Sequence, residues 1–216
     1  MPIITIARET GAGGSDVGRQ LADRLGIELV DAALIDEVAR RLRLPRSEVE
    51  AEDEQPRSLL ERLVRGAAMS EGPMGLGASM GAAVPPDPHD AVVALSGQII
   101  REAARSGDAV IVGRGACFVL GDVPGAIHVF LCAPVEVRVR RLAALWSVSE
   151  DEARRRLQAD DAHRHTYVRQ VHGREWRDPA NYHLCVDTGR VSYAEAVDLV
   201  LTLAARRAAG PRDGAD

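Results

Sequence analysis

The chain has 216 residues, a formal net charge of −5 and 46% hydrophobic residues, which suits one globular domain with its own core. The acidic balance disfavours nonspecific nucleic-acid binding, and no apolar run approaches the roughly 18 residues of a membrane span. We therefore expect neither a nucleic-acid nor a membrane partner and, because no signal-peptide pattern is present, a cytoplasmic location. The sequence does not indicate an oligomeric state.

The first part of the chain alternates strand and helix patterns. An apolar strand over residues 3–7 runs into a glycine-rich turn at residues 11–15 and then into a helix over 16–25. The hydrophobic spacing further along predicts one strand and two helices, over residues 27–30, 32–44 and 56–68.

Residues 69–88 are rich in glycine and proline, which predicts a flexible insertion within the domain. Beyond it the alternation resumes, with strands predicted over 109–113, 126–132 and 183–187 and helices between and after them. Capping boxes at Ser149 and Ser192 mark two of the helix starts. We expect a single domain over 1–207, with an arginine-rich lid over 149–177 and a disordered tail over 208–216.

Five short apolar strands separated by helices predict an α/β fold, with a mostly parallel five-stranded sheet flanked by helices. Ligands of such sheets bind at the carboxyl ends of the strands. The residues that follow those ends are the glycine turn, Asp31, Arg114 and the turn at 132–134. The sequence therefore predicts a ligand site at this edge.

The glycine turn between a strand and a helix is typical of phosphate binding. A dinucleotide-binding frame uses Gly11 and Gly13, with Asp31 at the distance of a ribose-binding acid, but it has Asp16 where the third glycine belongs. A kinase frame puts Gly14 where a phosphate-loop lysine belongs. All 27 basic residues of the chain are arginine. A tight turn without a ligand and a dinucleotide-binding oxidoreductase remain as alternatives.

Two arginines are candidates for binding phosphate. Arg114 lies between two glycines, so its guanidinium can swing into the cleft, where it would bind a phosphate with two hydrogen bonds. Arg164, near Asp161, lies where the lid of a phosphoryl-transfer enzyme would bring positive charge to the transferred group. The alternative for Arg114 is a surface arginine in a flexible turn, and the alternative for Arg164 is a position on a solvated helix face. The spacing of the histidines and cysteines predicts no metal site in the protein.

Several blocks together resemble the cytidylate kinase-like family. They are Ile-Thr-Ile-Ala-Arg-Glu with its glycine turn, Val-Asp at 30–31, Val-Ile-Val-Gly-Arg-Gly-Ala at 110–116, Asp161-x-x-Arg164, and Trp-Arg-Asp-Pro-Ala-Asn-Tyr at 176–182 with Asp187-Thr188. They occur in the family order over about residues 3–203. The resemblance implies a P-loop NTPase fold with a helical lid. It also implies transfer of the ATP γ-phosphate, with Mg²⁺, to CMP, dCMP or a related nucleotide.

The resemblance also implies roles for individual residues. Asp31 would lie towards the acceptor nucleoside, Arg114 would hold the acceptor phosphate, and Asp161 and Arg164 would belong to the lid. The donor phosphates would bind to Gly11, Ala12, Gly13, Gly14, Ser15 and Asp16.

The chain departs from the family pattern at the phosphate loop. Cytidylate kinases have Gly-Lys there, and this chain has Gly13-Gly14. Arg8 or Arg164 would supply the missing charge, so the candidate catalytic residues are Arg8, Asp161 and Arg164. The alternative function is a catalytically weak, nucleotide-binding regulatory protein on the same fold.

Overall fold

The computed structural model describes residues 2–47, 49 and 88–208. The predicted helix over 56–68, the insertion up to residue 87 and the tail from residue 209 lie outside the described residues. Pro88 and Ala208, which we assigned to the insertion and the tail, belong to helices instead.

A five-stranded sheet forms the centre of the molecule, and every strand pair in it is parallel. The strand order is β2-β3-β1-β4-β5. The predicted α/β architecture is confirmed, and each strand lies within about one residue of its predicted bounds. The strands are β1 (Ile3–Arg8), β2 (Glu28–Val30), β3 (Ala109–Val112), β4 (Ala126–Cys132) and β5 (Leu184–Asp187).

Helices flank the sheet. They are α1 (Gly14–Leu25), α2 (Ala32–Leu42), α3 (Pro88–Ser106), α4 (Ala116–Leu120), α5 (Val135–Trp146), α6 (Glu150–His172) and α7 (Tyr193–Ala208), with a 3₁₀ turn at Pro179–Asn181. The sequence did not predict α4, because a five-residue helix is too short to show a periodic apolar face. None of the helices in the described ranges is long and apolar enough to span a membrane.

Both predicted capping boxes begin helices. The Ser149 hydroxyl accepts a hydrogen bond from the Glu152 amide at 3.2 Å. At the start of α7 the exchange is reciprocal, because the Ser192 amide donates to the Glu195 carboxylate at 2.8 Å and the Glu195 amide donates to Ser192 Oγ at 3.3 Å. Each box satisfies amides that the first turn of a helix leaves without a partner.

The core has two main layers, one on each face of the sheet. Ile4 and Ile6 of β1 pack on the side of α1 and α7, and Ile3 packs on the side of α2 and α3. This alternation follows from the two-residue period of a strand, and a strand covered on both faces is apolar throughout. Packing on both faces fixes the central strand β1. The glycine turn follows its carboxyl end and therefore lies at the middle of the edge formed by the strands' carboxyl ends.

Candidate active site

The glycine turn connects β1 to α1 and has the backbone of an anion site. Gly11 and Gly13 both have a φ of 83°, which glycine adopts without steric cost. Ala12 between them is fully buried, and its amide donates to the Glu9 carbonyl at 3.1 Å. Gly13 is the N-cap of α1. The first amides of that helix have no acceptor within the helix and concentrate positive potential at the turn.

Two arginines of α5 hold the carbonyl groups of this turn. Arg138 Nη1 donates to the Thr10 carbonyl at 3.1 Å, and Arg141 Nη1 donates to the Gly11 carbonyl at 3.3 Å. Arg141 also donates to the Thr188 carbonyl at 2.6 Å, and the Thr188 hydroxyl donates to the Ala12 carbonyl at 3.0 Å. These bonds fix three successive carbonyls and therefore the shape of the turn.

Asp161 lies beneath the turn rather than in the open cleft. Its carboxylate is 6% exposed, accepts the Thr10 amide at 2.9 Å and pairs with Arg138 at 2.7 Å. Glu9 is also buried beside Arg138, and Arg177 contacts both carboxylates, at 2.9 Å for Glu9 and 3.1 Å for Asp161. Two carboxylates and two guanidiniums thus form one network that supports the turn. Asp161 is placed to position the loop, and its predicted catalytic role stays a prediction.

Arg8 is the last residue of β1 and lies across the turn. A Cβ atom added at Gly14 would be 2.6 Å from Arg8 Cγ and 3.0 Å from its Cβ. Its guanidinium reaches the next loop, where a Cβ added at Gly113 would lie 2.8 Å from Arg8 Cζ. The position that the kinase pattern gives to a lysine side chain is therefore filled by the stem of Arg8.

Arg114 follows β3 in a run of three residues with positive φ. The angles are 81° for Gly113, 56° for Arg114 and 63° for Gly115. Burial and, to a smaller extent, the charge of Arg8 lower the pKa of Arg114 to about 10, while the charge of Asp31 acts in the opposite direction. The residue is still a cation at neutral pH. Strained backbone together with clustered like charges is typical of an anion-binding site.

Two cavities meet at this edge of the sheet. The first is a cleft of about 350 Å³ over the glycine turn, lined by Gly11, Gly13, Gly14, Ser15, Asp16, Arg141 and Tyr193 among others. The second, smaller cavity is lined by Arg114, Tyr167 and Trp176 among others. Arg8 and Arg164 line both cavities. The same two guanidiniums therefore border both the cleft, of about 350 Å³, and the second cavity, of about 20 Å³.

Arg164 already contacts the turn in this structure. Its Nη1 donates to the Thr10 hydroxyl, and it lies 3.6 Å from the Asp161 carboxylate one helical turn earlier on α6. The sequence suggested that a closing lid would bring this arginine to the site. In this structure Asp161 of the same helix accepts the Thr10 amide and Arg164 contacts the turn, and the lid movement stays a prediction.

The remaining predicted residues lie around the two cavities. Asp31 follows β2 and is close enough to Arg114 to raise its pKa. Ser15 and Asp16 lie in the exposed first turn of α1 and line the cleft, and Asp16 pairs with Arg19 on the same helix at 2.5 Å.

Sequence reasoning missed the residues that support the loop. Arg138 begins a stretch rich in arginine that extends to residue 177. The usual interpretation of such a stretch is a solvated helix face, yet Arg138 is 2% exposed. The sequence pattern marks Tyr193 only as the residue after the Ser192 cap, but its ring lies over Gly13, and the Arg141 guanidinium is 5.1 Å from the ring centroid. The three-residue spacing of Arg138 and Arg141 places both on one helix face, but it does not indicate that this face packs against the turn.

The family model for the cytidylate kinase-like family matches residues 3–190 of the chain. The chain belongs to the cytidylate kinase-like family. The match includes the glycine turn, the Arg114 loop and α6, which contribute to the lining of the two cavities.

Two relatives share part of this sequence. A cytidylate kinase from Methanopyrus kandleri is 34% identical over 108 residues, which cover 46% of this chain and 56% of that protein. A uronate isomerase from Corynebacterium glutamicum is 34% identical over 107 residues, which cover 48% of this chain and 20% of that protein. The chain thus spans just over half of the first relative and a fifth of the second.

Solved structures share the fold. An uncharacterized protein from Eubacterium ventriosum has a TM-score of 0.68 at 23% identity, covering 95% of this chain and 99% of the other. Shikimate kinase from Bacteroides thetaiotaomicron has a TM-score of 0.51 at 15% identity, covering 94% and 97%. These likenesses, with the parallel sheet and its 2-3-1-4-5 order, establish the P-loop NTPase fold of this cytidylate kinase-like chain.

Proposed function

We propose that the protein is a nucleoside monophosphate kinase that transfers the γ-phosphoryl group of ATP to CMP, dCMP or a related nucleotide. The observation that carries this proposal is the pair of arginines, Arg8 and Arg164, that lines both the cleft over the glycine turn and the cavity containing Arg114. Phosphoryl transfer needs a donor and an acceptor anion side by side, with cations where they meet.

In the proposed reaction, a phosphate oxygen of the acceptor attacks the γ-phosphorus of ATP, the bond to the β-phosphate oxygen breaks, and ADP leaves. Arg114 holds the acceptor phosphate, and Asp31 lies towards the acceptor nucleoside. Arg8 and Arg164 stabilise the charge on the transferred group. The main contribution of these side chains is positioning and charge stabilisation, without a covalent intermediate.

The residues present fit ATP and Mg²⁺. The start of α1 and the two positive-φ glycines form a cradle for phosphates, and Ser15 and Asp16 beside it are the oxygen ligands that would hold Mg²⁺. In the ranges that the structure describes, no group of three or more acids, histidines or cysteines could hold a metal. Mg²⁺ is commonly held by substrate phosphates and one or two protein oxygens, and it would neutralise phosphate charge here.

The proposal is tested with a panel of acceptors. Purified protein with Mg-ATP is mixed with CMP, dCMP, UMP, AMP, GMP or shikimate, and ADP formation is measured. We expect turnover with a pyrimidine monophosphate and none with shikimate. If ATP binds but no acceptor is used, the regulatory alternative replaces the kinase proposal.

Variants of two arginines on α6 make the test specific to the site. Arg164→Ala should lower kcat by about 10- to 100-fold, because a charge-assisted contact to the transferred group is worth about 1.5–3 kcal/mol. Arg155→Ala is the matched control, since Arg155 lies on the same helix, is exposed and pairs with Glu152 one helical turn earlier. Equal activity of the two variants would contradict the role of Arg164.

A further inference from the structure

The glycine turn differs from the usual phosphate-loop pattern by an exchange, in which a positively charged residue stands at a glycine position and a glycine stands at the lysine position. The usual pattern is Gly-x-x-x-x-Gly-Lys-Ser/Thr. With Gly13 as its second glycine, the first glycine corresponds to Arg8, the lysine to Gly14 and the hydroxyl residue to Ser15. The positive side chain is thus missing from the seventh position and present at the first, where the pattern has no side chain.

The packing of Arg8 on Gly14 explains why the two changes occur together. Gly14 is buried, and a Cβ at that position would lie 2.6 Å from Arg8 Cγ, 3.0 Å from its Cβ and 3.1 Å from its Cδ. Real Cβ contacts are almost never below 3.0 Å. A side chain at position 14 and the observed path of Arg8 therefore exclude one another.

The end of the Arg8 side chain lies where the phosphates would meet. Its stem crosses the start of α1 and its guanidinium reaches Gly113, which precedes Arg114. Arg8 lines both the cleft over the turn and the cavity of Arg114. A planar guanidinium can bind two phosphate oxygens at once, whereas a lysine ammonium acts as a point charge.

We propose that Arg8 takes the place of the phosphate-loop lysine and binds the donor phosphates from the first position of the loop, and that Gly14 is glycine because the Arg8 stem lies over it. This inference rests on the proposed function for the identity of the donor. It adds a specific replacement for the lysine and a reason for the glycine.

A set of variants tests the exchange through nucleotide binding, without any acceptor. The dissociation constants of ATP and adenosine are measured by calorimetry for the wild type, Arg8→Gly, Gly14→Lys and the double variant Arg8→Gly/Gly14→Lys. We expect each single variant to bind ATP at least 10-fold more weakly and the double variant to recover to within about fivefold of the wild type. Adenosine binding should change by less than twofold, since it has no phosphates.

A smaller substitution separates the packing from the charge. Gly14→Ala adds only the Cβ that would meet Arg8, so it should weaken ATP binding in the wild-type background and have no effect in the Arg8→Gly background. Arg8→Met keeps an apolar stem without the charge and should bind ATP as weakly as Arg8→Gly. Thermal unfolding of each variant shows whether it is folded.

The inference is overturned if folded Arg8→Gly and Arg8→Met bind ATP as tightly as the wild type, or if Gly14→Lys binds ATP equally well with and without Arg8. Its failure is distinct from failure of the proposed function. Loss of ATP affinity in Arg8→Gly, with no turnover of any acceptor by the wild type, supports the exchange and overturns the kinase activity. Turnover that persists in folded Arg8→Gly with unchanged ATP affinity overturns the exchange and leaves the kinase activity standing.

Discussion

Arg114 is held in a conformation that favours glycine. Its φ is 56°, between two glycines that also have positive φ, and a non-glycine residue in this region costs roughly 1–2 kcal/mol. The strain brings a partly buried guanidinium towards Arg8 and Asp31, which both influence its pKa. A surface arginine in a flexible turn would not need this geometry, so we interpret the strain as part of the phosphate site.

The first prediction concerns this strain. Arg114→Gly should raise the free energy of unfolding by about 1 kcal/mol, because it relieves the backbone strain. The same change should raise the KM for the acceptor at least 10-fold and leave the KM for ATP within about twofold. Urea denaturation and steady-state kinetics measure the two effects. A less stable protein with an unchanged acceptor KM would contradict both the strain and the assigned role.

The position of Arg114 could be predicted from the sequence, but its conformation could not. Glycines on both sides of an arginine after a buried strand indicate a turn at the ligand edge. The arginine-rich stretch shows the limit of this reasoning, because Arg138 and Arg141 differ from their exposed neighbours only in which helix face they occupy. That face depends on the packing of α5 against the turn, which the spacing of the residues does not determine.

At the scale of elements, a buried ion-pair network joins α5 and α6 to the turn. Arg138 of α5 pairs with Asp161 of α6 at 2.7 Å, and Asp161 accepts the Thr10 amide at 2.9 Å. Arg138 and Asp161 are both buried. Removing one partner of such a pair leaves an uncompensated charge inside the protein and costs about 3–5 kcal/mol.

Asp161→Ala should therefore lower the free energy of unfolding by about 3–5 kcal/mol. It should also weaken ATP binding, because the Thr10 amide and Arg138 lose the group that orders them. Arg155→Ala on the same helix is the control and should change stability by less than about 0.5 kcal/mol. Chemical denaturation measures both variants. Similar stabilities for the two would show that the network does not support the turn.

At the scale of the whole molecule, a histidine pair lies away from the proposed active site. His128 contacts Thr5 Oγ1 through Nδ1 at 2.7 Å and the Gly121 carbonyl through Nε2 at 2.8 Å. The His183 Nδ1 accepts the His128 amide at 2.9 Å, and the rings stack with centroids 5.1 Å apart. Burial lowers the pKa of both histidines below the ordinary value of about 6.5.

The direction of the pH dependence follows from these lowered pKa values. Between the folded-state pKa and 6.5, the unfolded chain binds more protons than the folded chain at these sites. The contribution of the two neutral histidines to the free energy of unfolding is complete above pH 6.5 and is lost as the pH falls below 6.5. We expect the free energy of unfolding to decrease from pH 7 to pH 5, and to decrease less in His183→Asn. The exposed His163→Gln should follow the wild type; a wild-type slope in His183→Asn would contradict this account.

The sequence predicted most of the architecture of the described residues, because strand and helix periods, helix caps and the glycine turn are local signals. It also predicted which strand ends border the two cavities, since parallel strands bring their carboxyl ends to one edge. The reach of the Arg8 guanidinium to Gly113 and the shared lining of the two cavities depend on contacts between segments more than 100 residues apart. Such contacts have no local pattern.

The central claim is that two anions meet between Arg8 and Arg164 and exchange a phosphoryl group. The most direct measurement mixes the protein with ATP labelled at the γ-phosphate, Mg²⁺ and CMP, and then separates the nucleotides. The account predicts label in CDP, formed with one ADP for each labelled product and strongly reduced in Arg164→Ala. Label that stays in ATP, or appears only as inorganic phosphate while CMP is unchanged, would contradict it.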